Sequence, residues 1–295
     1  MFRFVAAEEA NFDVAVMCRV LGVSRSGYYA WARRPPSRRS TANVALTAEI
    51  RRVYDASDET YGWRRVTREL RREGREVNHK RVERLMRCEG LQGAYVPPRR
   101  RRTGDGVLGV DGVRVWPDLI KRDFRPDAPN QVWCADMKQI KTDEGVLHLA
   151  SVLDCFSRKI VGWAMGGVAD AELVASALEM AVAQRRPGDG LVHHSDRGCQ
   201  YTALAFGAHC VKAGIAQSNS RKGNPHDNAV KESFFATLTK ERLNRRHYDT
   251  HAQARSSVFQ YIEEWYNPRR LHSTLDYRSP VEAENDHHSE RAQAA

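Results

Sequence analysis

No run of apolar residues in this 295-residue chain approaches the ~18 needed to span a bilayer. The first ten residues, MFRFVAAEEA, lack the charged, apolar and small-residue regions of a signal peptide. The six cysteines form no C-x-x-C pair, which excludes a zinc ribbon and a disulfide framework and points to a reduced, cytoplasmic setting. His79, Cys18 and Cys88 lack the spacing of an N-terminal zinc cluster. A sustained leucine heptad is missing too, so the chain carries no zipper of its own.

Acidic charge is scarce in one region only. Residues 1–125 hold 27 basic against 16 acidic side chains, a net of +11, whereas residues 126–295 hold 20 against 21. The whole excess of +10 therefore sits at the front, which predicts a polyanion-binding first part and a near-neutral second part. Most of these cations are arginines, whose fork fits phosphate and guanine edges better than lysine does.

The basic part reads as short helices. Residues 11–33 carry an apolar stripe at Val14, Val16, Met17 and Val20, a turn at Leu21-Gly22-Val23, and Ser24 as the cap of a second helix. That is a helix-turn-helix pattern, whose second helix would bring Arg25 and Ser26 to base edges. A second unit follows the Pro35-Pro36 break. It comprises a helix from about Thr41 to Asp55, another over 61–74 with Trp63, Val66 and Leu70 inward, and a third capped by Asn78. Its outward cations include Arg64, Arg65, Lys80 and Arg81. Pro97-Pro98 and Arg99, Arg100, Arg101 and Arg102 open a basic, glycine-rich linker suited to a phosphate backbone. The organisation expected is residues 1–40 and 41–96 as two helical units, 97–125 as linker, 126–285 as a core, and 286–295 as a disordered tail.

From residue 131 the period changes to that of strands. QVWCADMKQI, VLHLASVL and KIVGWAM read as a three-strand meander, followed by a helix over 171–185 and a short strand over 190–196. A helix near 201–213, a strand near 215–219 and two long helices at about 227–246 and 250–266 complete the pattern. The fold class expected is α/β, a mixed sheet with the element order of the ribonuclease-H-like fold, preceded by small all-α helix-turn-helix units.

Three carboxylates stand out. Asp136 interrupts an apolar strand, Asp196 ends another in HHSDRG, and Glu232 follows on a helix with 35 residues between the two. On a helical wheel Phe234 and Leu238 share one stripe and Glu232 falls on the opposite side. Hard oxygens from separate elements suit a pair of divalent cations, which can hold the attacking and leaving oxygens of a phosphoryl displacement. Asp154 ends a strand as well, but Arg158, four residues on, reads as its ion partner, which makes it structural. His193 and His194 read as positional, because Mg²⁺ prefers oxygen.

At this point the chain resembles a known family. CRVLGVSRSGYYAW (18–31), YGWRRV and VNHKRVERLM (61–86), QVWCAD (131–136), VLDCFSRKIVGW (152–163), HHSDRGCQYT (193–202), GNPHDNAVKESFFATLTKE (223–241) and YNPRRLHSTLDYRSPVE (266–282) occur in the order found in the second-frame (OrfB) product of bacterial insertion sequences. That resemblance implies a DDE transposase with a retroviral-integrase-like core, in which Asp136, Asp196 and Glu232 are both catalytic and metal-binding. It implies two Mg²⁺ ions, with Mn²⁺ as a substitute. It also implies double-stranded DNA partners (element terminal inverted repeats and target DNA), an upstream-frame OrfA product or fusion, and a homo-oligomer on DNA. The setting it implies is the bacterial cytoplasm, at the nucleoid. Two positions depart from the family: Lys138 stands where Thr is frequent, and Thr239 stands where a Lys or Arg is usual, with Lys240 next to it. The resemblance carries DNA contact to Lys222, Asn224 and Lys240. The competing readings are a catalytically dead DNA-binding regulator and a ribonuclease-H-like nuclease that cuts without joining.

Overall fold

The structure is a computed structural model that describes residues 1–94, 116–121, 123–220 and 229–294. Contacts divide it into two units, Met1–Gly93 and Ala94–Ala295.

The first unit is all-helical. Helices α1 (Phe2–Glu8), α2 (Val14–Val20) and α3 (Arg25–Ala32) pack around Val5, Met17, Cys18 and Tyr28. The Asp13 carboxylate accepts from the Ala15 and Val16 amides at 2.8 and 3.1 Å, and Ser24 Oγ accepts from the Gly27 amide at 3.0 Å, so both helices start on side-chain caps. Gly22, at φ +65°, makes the turn between them. The stripe expected on α2 is corrected here. Its buried face is Met17 and Cys18, while Val16 and Val20 are 48% and 79% exposed, because α1, unseen in the sequence, covers a different side.

Helices α4 (Arg38–Ala56), α5 (Trp63–Arg72) and α6 (His79–Cys88) pack through Leu46, Ile50, Val66, Leu70, Val82 and Leu85. Asn78 Oδ1 caps α6 by accepting from the Lys80 amide at 2.8 Å. Trp63 is only half-buried and stacks on His79 with 5.6 Å between ring centroids.

The second unit is built on a five-stranded mixed sheet. Its strands are β1 (Val132–Thr142), β2 (Gly145–Asp154), β3 (Ile160–Gly166), β4 (Val192–Ser195) and β5 (Ala216–Asn219), in the spatial order β3-β2-β1-β4-β5. β1, β2 and β3 pair antiparallel, and β1, β4 and β5 pair parallel. This is the ribonuclease-H-like α/β arrangement. Alternation along β1 sends Trp133 and Ala135 to one core with α7 (Ala171–Arg185), α8 (Cys199–Thr202) and α9 (Leu204–Lys212). Cys134 and Ile140 face the other core, with α10 (Ala229–Glu241), α11 (His251–Phe259) and a π-helical continuation, Gln260–Tyr266. Gly162 admits α7 against β3: a Cβ there would lie 2.2 Å from the Ala177 carbonyl oxygen.

The last helix, α12 (Pro280–Ala294), replaces the disordered tail expected over 286–295 as far as Ala294. Ser279 and Glu282 exchange hydrogen bonds across its first turn, in a capping box. Glu284 is buried and takes hydrogen bonds from both terminal nitrogens of Arg185 (2.8 Å each), from Lys159 Nζ (3.0 Å) and from Ser157 Oγ (2.8 Å). Asn267 holds the same border of the sheet: its side-chain amide accepts from the Ile160 N–H and donates to the Ile160 carbonyl, both at 2.9 Å.

Candidate active site

The parallel register of β1 on β4 pairs Cys134 with His194. Two residues further along each chain stand Asp136, midway along β1, and Asp196, one residue past the end of β4. The register therefore brings both to the same end of two neighbouring strands. Asp136 shares its strand face with Cys134 and Ile140, the face covered by α10. Its Oδ1 accepts from the Met137 amide at 2.7 Å.

Asp196 is held from two sides. Its Oδ1 accepts from the Gly198 amide at 3.0 Å, a tight turn that aims the carboxylate. Asn219, at the end of β5 and buried, donates from Nδ2 to the Asp196 carbonyl at 3.1 Å and to Ser195 Oγ at 3.2 Å. The Asn219 side-chain oxygen accepts in turn from the Trp116 amide at 3.0 Å, which fastens residues 116–121 to the sheet. Tyr201 is fully buried, and its phenol is pushed well above the ordinary tyrosine range, first by burial and then by the charges of Asp136 and Asp196. Both carboxylates thus lie within electrostatic reach of one side chain.

Glu232 sits in the first turn of α10 and is exposed, while Phe234 and Leu238 bury the opposite stripe. Asp136 and Glu232 line a common open groove of about 900 Å³ between β1 and α10. The fold therefore joins Asp136 to Asp196 through the strand register and to Glu232 across a groove. Lys240 lines that groove as well. Sequence reading missed Lys138 as a contributor here, although its place two residues after Asp136 on one strand is a sufficient signal. Lys141 and Arg246 also line the groove and carried no such signal.

Other candidates fall elsewhere. His193 and His194 are buried, and His194 Nδ1 is 2.9 Å from Ser218 Oγ, which makes them packing residues. Asp154 is structural, but its ion partner is Arg185 at 3.8 Å, not Arg158. Arg158 sits at φ +63° in the turn that Asp154 closes by accepting from the Phe156 and Asn130 amides. Arg270 is buried and bonded to Glu241. In the helical unit Arg25, Ser26, Arg64 and Lys80 are exposed, and Arg65 is half-buried against the Tyr61 ring. Arg81 is half-buried, with Nε 2.9 Å from Asn43 Oδ1. Arg99, Arg100, Arg101, Arg102, Lys222 and Asn224 lie outside the described residues.

Residues 126–225 and 213–280 match two family models, each described as an integrase core domain, and residues 41–102 match an HTH-like domain. The Shigella sonnei protein named insertion element IS600 uncharacterized 31 kDa protein is 40% identical over 277 residues, 92% of this chain and 98% of that one. The transposase for insertion sequence element IS904 of Lactococcus lactis is 39% identical over 254 residues, 85% and 98% of the two chains. The transposase InsF for insertion sequence IS3fB of Escherichia coli is 35% identical over 284 residues, 96% and 97%. With an integrase-core sheet behind an HTH-like domain and end-to-end similarity to such proteins, the chain belongs to the insertion-sequence DNA transposases.

Proposed function

We propose that this chain cuts DNA at the ends of a mobile element and joins those ends to target DNA, with Asp136, Asp196 and Glu232 as its catalytic, metal-binding triad. The observation that carries the reading is the convergence of Asp136 with Asp196 through the β1–β4 register and with Glu232 across one groove. The donor set fits a hard divalent cation: three carboxylates from three elements, with both nearby histidines committed to packing. Two Mg²⁺ ions, replaceable by Mn²⁺, would lower the pKa of the attacking hydroxyl and neutralise charge on the leaving oxygen. The chain's own part is to fix the ligands before substrate arrives. The Met137 and Gly198 amides orient the two aspartates, and the core packing of Phe234 and Leu238 turns Glu232 toward the groove.

Arg25 and Ser26 on α3, and Arg64, Arg65, Lys80 and Arg81 on α5 and α6, are proposed to hold the element's terminal repeats, together with the arginine run 99–102. Two ends must be held at once, so a homo-oligomer on DNA is proposed, completed by the upstream-frame OrfA product. No helix among the described residues is long and apolar enough to cross a membrane, and the proposed setting is the bacterial nucleoid.

The test is Mg²⁺-dependent cleavage and joining of duplex DNA carrying the element's own end, with and without the upstream frame. Wild type joins ends, whereas Asp136→Asn, Asp196→Asn and Glu232→Gln bind the DNA and join nothing. Joining that survives Glu232→Gln overturns the triad. Cleavage without joining would select the nuclease reading, and DNA binding with neither would select the regulator.

A further inference from the structure

Residues 116–119 precede the first strand of the sheet in the chain, and two bonds fasten them at the end of β5. The Trp116 amide donates to Asn219 Oδ1 at 3.0 Å, and the Leu119 amide donates to Ser218 Oγ at 3.0 Å. Ser218 and Asn219 are successive strand residues, so they point to opposite faces and the segment grips β5 from both sides. Its own shape is set by Asp118, whose Oδ1 accepts from the Ile120 and Lys121 amides at 3.2 and 2.9 Å, and by the burial of Ile120.

Both anchoring side chains are buried, and both have a second task on β4. Asn219 Nδ2 donates to the Asp196 carbonyl at 3.1 Å and to Ser195 Oγ at 3.2 Å. Ser218 Oγ lies 2.9 Å from Nδ1 of His194, two residues before Asp196, and the Phe124 ring stands edge-on to that imidazole at 6.0 Å. The donors and acceptors fix an order. A backbone N–H can only donate, so the Trp116 amide requires the oxygen of the Asn219 side chain and thereby turns its NH₂ toward Asp196. Without that amide the Asn219 side chain would be free to rotate half a turn, which sets its oxygen against the Asp196 carbonyl and breaks the bond.

We propose that residues 116–119 are a positioning clasp for Asp196: the seating of the Trp116 and Leu119 amides on Asn219 and Ser218 sets how tightly that carboxylate binds its divalent cation. This deepens the transposase reading above and rests on it for Asp196 as a metal ligand. Coupling of this kind is reciprocal, so bound metal must in turn tighten the clasp.

The test uses the full chain without DNA, and Mn²⁺ as the probe. Free Mn²⁺ is counted by electron paramagnetic resonance, and amide hydrogen exchange over 116–121 is followed by mass spectrometry with and without the ion. Leu119→Pro deletes the amide donor and should weaken Mn²⁺ binding about 10–100-fold. Leu119→Ala keeps the donor and trims a side chain that is 47% exposed, so it should bind as wild type does. The exchange measurement needs no variant that could misfold: in wild type Mn²⁺ should slow exchange over 116–121, and in Asp196→Asn it should not. Wild type that binds Mn²⁺ with exchange over 116–121 unchanged overturns the clasp and leaves the triad, and so does a folded Leu119→Pro with wild-type affinity. Asp196→Asn that binds Mn²⁺ as tightly as wild type removes the metal reading itself, and the clasp with it.

Discussion

Arg270 closes on Glu241, the last residue of α10, with Nε 2.7 Å from Oε2 and Nη2 2.6 Å from Oε1. Both side chains are buried, and Tyr261 donates its hydroxyl to the same carboxylate at 2.9 Å. The helix that carries Glu232 is thus anchored at its far end by a forked ion pair. Removing one partner of a buried pair strands the other charge, at a cost of about 3–5 kcal/mol. Arg270→Ala should lower the urea midpoint accordingly, and Arg270→Lys should recover little, because an ammonium cannot span both oxygens. An Arg270→Ala protein with an unchanged midpoint would show that α10 is held by its apolar face alone.

Gly162 makes a second point of sensitivity. The Ala177 carbonyl and Ala181 crowd the position, and backbone cannot yield as a flexible side chain does. Gly162→Ala should cost at least the ~1–3 kcal/mol typical of overpacking. Thermal unfolding measures it, and a melting temperature equal to wild type would mean that α7 can slide on the sheet.

Stability should depend on acid through Glu284. Burial disfavours its charge, but the Arg185 hydrogen bonds and charge, with Lys159, outweigh that and hold its pKa below the ordinary glutamate range. A depressed folded pKa gives a contribution that is complete above the unfolded value of about 4.3 and is lost as pH falls through the folded value. Urea midpoints of wild type and Glu284→Gln should therefore differ by a constant gap at neutral pH. The gap should narrow only below about pH 4. A gap that narrows between pH 8 and 6 would assign the effect to another group.

Asn219 offers a test of ligand positioning. It ties the backbone at Asp196 to β5 and to Trp116 without touching the groove. Removing such outer hydrogen bonds typically weakens metal affinity or activity about 10–100-fold. Asn219→Ala should raise the Mg²⁺ concentration needed for half-maximal cleavage in that range and leave DNA affinity in metal-free buffer unchanged. A defect confined to DNA affinity would place Asn219 in substrate binding.

Much of this fold is written locally. The expected helix over 171–185 coincides with α7, and Ser24 and Asn78 cap the helices assigned to them, because caps and apolar period act within a few residues. Asp136 and Asp196 could be picked out because each breaks or terminates an apolar strand, and Glu232 because the helical period puts it opposite the apolar stripe. What the sequence conceals is tertiary. Residues 286–294 are polar and read as a tail, yet a helix forms there because Glu284 is fastened by Ser157 and Lys159 of the β2–β3 connection and by Arg185 of α7. Arg158 has the right spacing to pair with Asp154, but its left-handed backbone turns it elsewhere and Arg185 arrives from α7. A lysine in a strand looks like a solvent-facing residue, and only the position of α10 encloses Lys138 in a groove.

The Asn267 side-chain amide, paired with both backbone polar groups of Ile160, has a consequence for how copies can meet. β3 is the outer strand of the sheet, and a bare outer strand invites a second chain to add its own. Asn267 occupies Ile160, Met180 Sδ receives the Trp163 amide at 3.3 Å, and Arg255 reaches the Met165 carbonyl. Side chains from outside the sheet thus stand where a visiting strand would bond. In the homo-oligomer proposed on DNA, copies would not join through this border, and the same guarding protects the free protein against stacking into fibres through it.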